Sequence, residues 1–151
     1  MSEKKFPISK ERLEEIIKVF PTPFHIYDEK AIRQNMRRLC KAFSWAPQFR
    51  EHFAVKATPN PTIVSMLREE GAGTDCSSLA ELFISEEAGV KGERIMLTSN
   101  DTPADEFQKA HELGAIINLD DISHIDYLEK HAGLPDCLCF RYNPGRLIKG
   151  N

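Results

Sequence analysis

The sequence predicts an α/β fold of about five parallel strands joined by helices, and three observations carry that expectation. First, short apolar runs alternate with amphipathic stretches from residue 53 onward. The runs are FAVKA at 53–57, TDCS at 74–77, IMLTS at 95–99, IINLD at 116–120 and CLCFRYN at 137–143. Second, their first residues, Phe53, Thr74, Ile95, Ile116 and Cys137, are each 21 apart. That interval is too long for a hairpin and suits one strand, one helix and two short loops, so neighbouring strands run parallel. Third, the length is 151 residues, enough for one domain, whereas a complete (β/α)8 barrel takes about 250. Two architectures are therefore open, a small doubly wound domain or about half of a barrel.

Each element has a local reason. Residues 9–19 place Leu13, Ile16 and Ile17 on one helical face, and Pro21 and Pro23 end that helix. FHIY at 24–27 reads as a short strand. Asp28 can cap a basic helix running to about Phe43, with Ile32, Met36, Leu39 and Phe43 inward. Asn60-Pro61 offers a cap followed by proline in the first turn, and Thr102-Pro103 repeats the device with Asp105 close behind. Gly71, Gly89, Gly114 and Gly133 stand where left-handed helix ends are wanted. Apolar faces follow helical spacing at Ile63, Met66 and Leu67, at Leu79, Leu82 and Phe83, and at Ile122, Ile125 and Leu128.

Composition narrows the function. Hydrophobic residues make up 41% and charged residues 28%, the balance of a folded soluble protein. The net charge of -3 argues against a nucleic-acid partner, which needs a basic face. Residues 1–75 carry 13 Lys/Arg against 10 Asp/Glu, and residues 76–151 carry 7 against 13. Neither half holds a long block of one sign, so these read as solvated faces. Cys40, Cys76, Cys137 and Cys139 show no zinc-ligand spacing and read as small buried residues in a reducing compartment. On a strand, Cys137 and Cys139 would share one face. No signal peptide or membrane span is legible, so the expected location is the cytoplasm.

Lys56 is the most informative position. Both faces of a parallel strand are normally buried, and a buried lysine is costly unless paired, at a strand end, or chemically used. Burial would favour the neutral amine, a nucleophile for carbonyls. Asp75, one repeat on, could hold or tune that amine, or could simply lie beside a helix capped by Ser77 or Ser78. Glu81 falls in the first turns of that helix, where negative charge is favourable anyway. Arg141 lies in the last strand and asks either for an anion or for an acid on a neighbouring strand. Asp120-Asp121 could bind metal, but Asp121 as a helix cap is the simpler reading. The five histidines are scattered and no metal is expected. No GxGxxG or P-loop is present, and Gly71-Ala72-Gly73 reads as a helix end leading into a strand.

FAVKATPNP, GAGTDCSSLAEL, INLDD and FRYNPG occur in that order. They resemble the N-terminal barrel half of the pyridoxal-phosphate decarboxylases of the alanine-racemase-like fold, diaminopimelate decarboxylases above all. The resemblance runs from about Thr22 to Asn151. It implies a partial (β/α)8 barrel of about five parallel strands, with an N-terminal helix and strand belonging to a second β domain. Residues 1–43 would precede the barrel and residues 44–151 would be its truncated first part. It implies pyridoxal 5'-phosphate as cofactor, bound covalently by Lys56, with Asp75 beside that lysine, Glu81 nearby, Arg141 reaching the ring-oxygen side and Ala54 under the ring. The implied reaction is decarboxylation of meso-2,6-diaminopimelate to L-lysine by a homodimeric full-length enzyme. Rivals are an ornithine, arginine or carboxynorspermidine decarboxylase, an amino-acid racemase, or a non-catalytic cofactor-binding or receiver-like module. Phe53 stands where a tyrosine is usual, Thr58 where an asparagine is usual, and SSLAEL where serine-x-glycine-glutamate-leucine is usual. The family's later histidine, Gly-rich phosphate loop and ring-nitrogen glutamate would follow residue 151, so the chain by itself is expected to be inactive or nearly so.

Overall fold

The structure, a computed structural model, describes residues 7–142. Two helices lead, α1 (Lys10–Val19) and α2 (Glu29–Ala42), capped by the side chains of Ser9 and Asp28. Four strand–helix units follow: β1 (His52–Ala54) and α3 (Pro61–Glu69), β2 (Gly73–Cys76) and α4 (Leu79–Glu87), β3 (Ile95–Thr98) and α5 (Ala104–Glu112), β4 (Ile116–Leu119) and α6 (His124–Ala132). A fifth strand, β5 (Leu138–Phe140), completes the sheet.

All pairings are parallel and the strand order is β1-β2-β3-β4-β5. A doubly wound domain reverses direction within its sheet and carries helices on both faces. Here the order never reverses and one face alone is sealed. Thr74, Cys76, Ile95, Leu97, Ile117 and Leu119 are fully buried with Leu82, Phe107, Ala110 and Leu128 of the helices. The alternate residues Asp75, Met96, Thr98, Asn118 and Cys139 are only half-buried. This is part of a (β/α)8 barrel, seen with its inner face open.

The predicted interval of 21 holds as register between Phe53 and Thr74, Thr74 and Ile95, and Ile117 and Leu138. Between β3 and β4 it shortens by one, pairing Met96 with Ile116, so Ile117 rather than Ile116 lies on the helix side. At Gly73 the strands approach closely. A Cβ there would run into the Arg94 carbonyl oxygen, backbone that cannot swing aside. Gly73→Ala is expected to cost about 1–3 kcal/mol, read as a lower urea midpoint with an unchanged slope.

Several local expectations change. Residues 24–27 form no strand, because nothing among the described residues pairs with them. Helix α5 begins after Pro103 and not after Thr102. Asp121 does not cap α6 directly. Its carboxylate accepts the Ser123 N–H at 2.8 Å, a bond that holds its carboxyl below the usual range, and the helix starts at His124. Phe83 and Ile122 are exposed. Phe43 is no core residue but stacks on Phe49, with centroids 4.4 Å apart. Of the cysteines only Cys76 is buried, its thiol pushed up to about 11 by burial, and Cys137 precedes its strand and is exposed. All four are free. Among the described residues, no helix is long and apolar enough to cross a membrane.

Helix α2 docks on the first unit. Met36 is buried with Ile63, Leu67 and Ala72. Glu70, just past α3, takes two bonds from the Arg37 guanidinium, both at 2.6 Å, and one from Arg33 at 3.2 Å. The forked geometry suits a carboxylate, and these guanidinium bonds hold the Glu70 carboxyl below its usual range.

Candidate functional site

The predicted site residues all fall at the C-terminal end of the sheet, where barrel enzymes place their chemistry. Lys56 does not lie in a strand. The ladder ends where Ala54 pairs with Asp75, and Val55–Ala57 turn into one 3-10 turn closed by the Thr58 N–H on the Val55 carbonyl at 3.0 Å. Val55 is driven fully into the core, which leaves Lys56 exposed. The burial expected of a strand-interior lysine is therefore absent, because the turn carries its ammonium out to water. Asn60 then starts α3, its side-chain oxygen accepting the Thr62 N–H at 2.9 Å, with Pro61 in the first turn.

Asp75 is the penultimate residue of β2, in register with Ala54 on the open inner face. One of its carboxylate oxygens is buried and has no hydrogen-bond partner among the described residues. Such an orphaned acceptor is costly unless something donates to it.

Glu81 is committed to its own loop. It accepts the Ser77 N–H at 3.1 Å, the Ser77 hydroxyl at 3.0 Å and the Ser78 hydroxyl at 3.1 Å, while Ser78 Oγ accepts the Glu81 N–H at 3.4 Å. This is a reciprocal capping arrangement, and it fixes the loop that leaves Asp75.

Arg141 lies just beyond β5, its N–H donating to the Leu119 carbonyl at 2.9 Å. Its guanidinium donates to Asp120, with Nε at 2.6 Å, and also to Asn100. The reading as an ion pair with a neighbouring acid therefore holds. Lys56, on the turn after β1, and Asp75, in β2, sit at adjacent strands, but Arg141 lies past β5, four strands from β1, on the order of 19 Å along the sheet at about 4.8 Å per strand. Sequence reasoning weighed Asp120 only as a metal ligand and missed Asn100. The signal for both was their place just after a strand end. A cavity of about 460 Å³ lined by Cys40, Phe49, Arg50, His52 and Arg94 lies at the other end of the strands and holds none of the predicted residues.

Comparison with known proteins gives this end of the sheet a chemical context. Residues 29–147 match the family described as pyridoxal-dependent decarboxylase, pyridoxal binding domain. Protein TabA of Pseudomonas amygdali pv. tabaci is 46% identical over 136 residues, covering 90% of this chain and 31% of its own. The diaminopimelate decarboxylase of Methanothermobacter thermautotrophicus is 37% identical over 131 residues, covering 86% of this chain and 31% of its own. The crystal structure of diaminopimelate decarboxylase from Helicobacter pylori, complexed with L-lysine, superposes with a TM-score of 0.69 at 28% identity, over 78% of this chain and 30% of that one. The chain thus spans about a third of the length of the relatives it matches. With the match covering most of the sequence and the partial barrel superposing on the same region of a solved member, the chain belongs to the pyridoxal-dependent decarboxylases, of whose pyridoxal-binding domain it carries a part.

Proposed function

We propose that this chain is the cofactor-lysine part of a pyridoxal-phosphate-dependent amino-acid decarboxylase that converts meso-2,6-diaminopimelate to L-lysine. The carrying observation is Lys56, exposed on the turn after β1, beside a strand whose Asp75 keeps an unpartnered buried oxygen on the open face. These residues suit the cofactor. A solvent-reaching primary amine can bond its carbonyl carbon, and an acid without a donor can hold the proton of a neighbouring ammonium. When bound, the cofactor supplies the electron sink for the pair left behind as the carboxylate departs.

In this reading Lys56 holds the cofactor through Nζ. Asp75 offers its unpartnered oxygen as an acceptor on the inner face. Ala54, small and in register with Asp75, leaves room above the sheet. Glu81 keeps the β2–α4 loop in shape, and Arg141, oriented by Asp120 and Asn100, presents a fixed positive charge at the far strand ends. The whole enzyme is read as a cytoplasmic homodimer, with residues 1–43 ahead of the barrel and 44–151 its first part. That assignment rests on the sequence resemblance.

A different amino-acid substrate within the same family is a second reading. It is favoured by the greater identity to TabA than to the diaminopimelate decarboxylases. The cofactor role is tested by treating the chain with pyridoxal phosphate and then borohydride. Peptide mapping is expected to place the reduced pyridoxyl group on Lys56, and a label spread evenly over the lysines would refute it. The substrate is tested in the whole enzyme by carbon dioxide release from meso-diaminopimelate, ornithine and arginine. The first is expected to be turned over, and preference for either other substrate would refute that part.

A further inference from the structure

Glu106 lies in the first turn of α5, yet its side chain points inward and the residue is only 8% exposed. A carboxylate is seldom taken out of water without a partner. Its Oε1 accepts the N–H of Leu79, the first residue of α4, at 2.9 Å. Its Oε2 is buried without a hydrogen-bond partner among the described residues.

The bond matters because the opening N–H groups of a helix have no partner inside it. In α4 one of them goes to its own cap, Ser78, and another goes to Glu106, which belongs to a different helix. Glu81, also 8% exposed, holds the loop before that turn from the other side. Two carboxylates therefore brace the segment that leaves Asp75, and one of them reaches across from the next unit. Glu106 would favour the N-terminus of α5 equally well from solvent. Its burial serves α4.

We propose that Glu106 is a positioning residue for the cofactor end of the barrel. By fixing the first turn of α4 it holds the Ser77–Ser78 loop, and with it the end of β2 that carries Asp75 beside the Lys56 turn. The proposal rests on the reading of Lys56 as the cofactor lysine.

The test uses the 151-residue chain and the variants Glu106→Ala and Glu106→Gln. Hydrogen exchange at the Leu79 amide reads the contact. Borohydride fixation after pyridoxal phosphate treatment, taken as the yield on Lys56 relative to the other lysines, reads its consequence. In Glu106→Ala, Leu79 is expected to exchange about tenfold faster and the relative yield at Lys56 to fall about tenfold, while the Leu128 amide in the core keeps its protection. Glu106→Gln retains an acceptor oxygen and should restore both readings to within about threefold of the parent chain. Unchanged Leu79 exchange in Glu106→Ala overturns the contact, and unchanged Lys56 yield despite faster exchange overturns the positioning role. If the alanine variant does not fold, the glutamine variant decides, because loss of Lys56 yield there refutes the proposal. A parent chain that puts no label on Lys56 sinks the cofactor reading itself and takes the positioning role with it. Leu79 exchange still reports whether the contact exists.

Discussion

Replacing Lys56 with alanine is expected to abolish the borohydride-fixed pyridoxyl label on the peptide that contains it, and to slow decarboxylation in the whole enzyme at least 1,000-fold, about 4 kcal/mol of barrel-end chemistry. The folded chain should hardly notice. Lys56 is exposed and makes no ion pair among the described residues, so its removal should change stability by no more than about 0.5 kcal/mol. That separation makes the variant diagnostic, since a drop in labelling cannot be blamed on unfolding when the thermal transition is intact. Lys56→Arg is the matching control. It keeps the charge, but a guanidinium does not deprotonate to a carbonyl nucleophile, so it too should fail to label. Labelling of either variant at the parent level, on a peptide elsewhere in the chain, would mean that another lysine holds the cofactor.

Phe107→Ala should have the largest effect on stability. Phe107 is 1% exposed at the centre of the packing between helices and sheet, against Leu82, Leu97 and Leu128 in the same core cluster. Deleting a buried phenyl group costs about 3–5 kcal/mol through lost burial and the cavity left behind. Native domains hold about 5–15 kcal/mol in total, and this sheet is sealed on one face only, so a low value in that range is expected. The variant should lose its cooperative thermal transition by circular dichroism, or melt about 10 °C lower or more. Phe83→Ala on the neighbouring helix is the control. That ring is half-exposed, with Lys109 Nζ 5.2 Å from its centroid, and its loss should cost under about 1 kcal/mol. Equal losses for the two variants would contradict the one-sided core.

What was legible in the sequence was local or periodic. The 21-residue interval gave parallel neighbours, and Gly71, Gly89, Gly114 and Gly133 all adopt positive φ at helix ends as their spacing implied. Asn60 and Asp28 cap the helices expected of them. What was not legible was set by distant partners. The strand ends at Ala54 because pairing with β2 stops there, a fact that the run FAVKA does not contain. The one-residue shortening between β3 and β4 lies in the pairing of two strands, not in either strand alone. The partner of Arg141 was foreseen only as some acid on a neighbouring strand. Which acid, and the added hold by Asn100, depended on three strand ends meeting in space. Glu106 was invisible for the same reason, since an acid in a first helical turn looks complete on its own sequence.

The two faces of the sheet also divide the strands between two kinds of constraint. Residues of one parity, such as Thr74, Ile95, Leu97 and Ile117, are answerable to the volume of the helix layer. Residues of the other parity, such as Asp75, Met96, Thr98 and Asn118, are half-buried and lie outside the core formed with the helices. Along each strand, therefore, alternate positions answer to different neighbours, one set to the shape of the helix layer and the other to whatever meets the inner face.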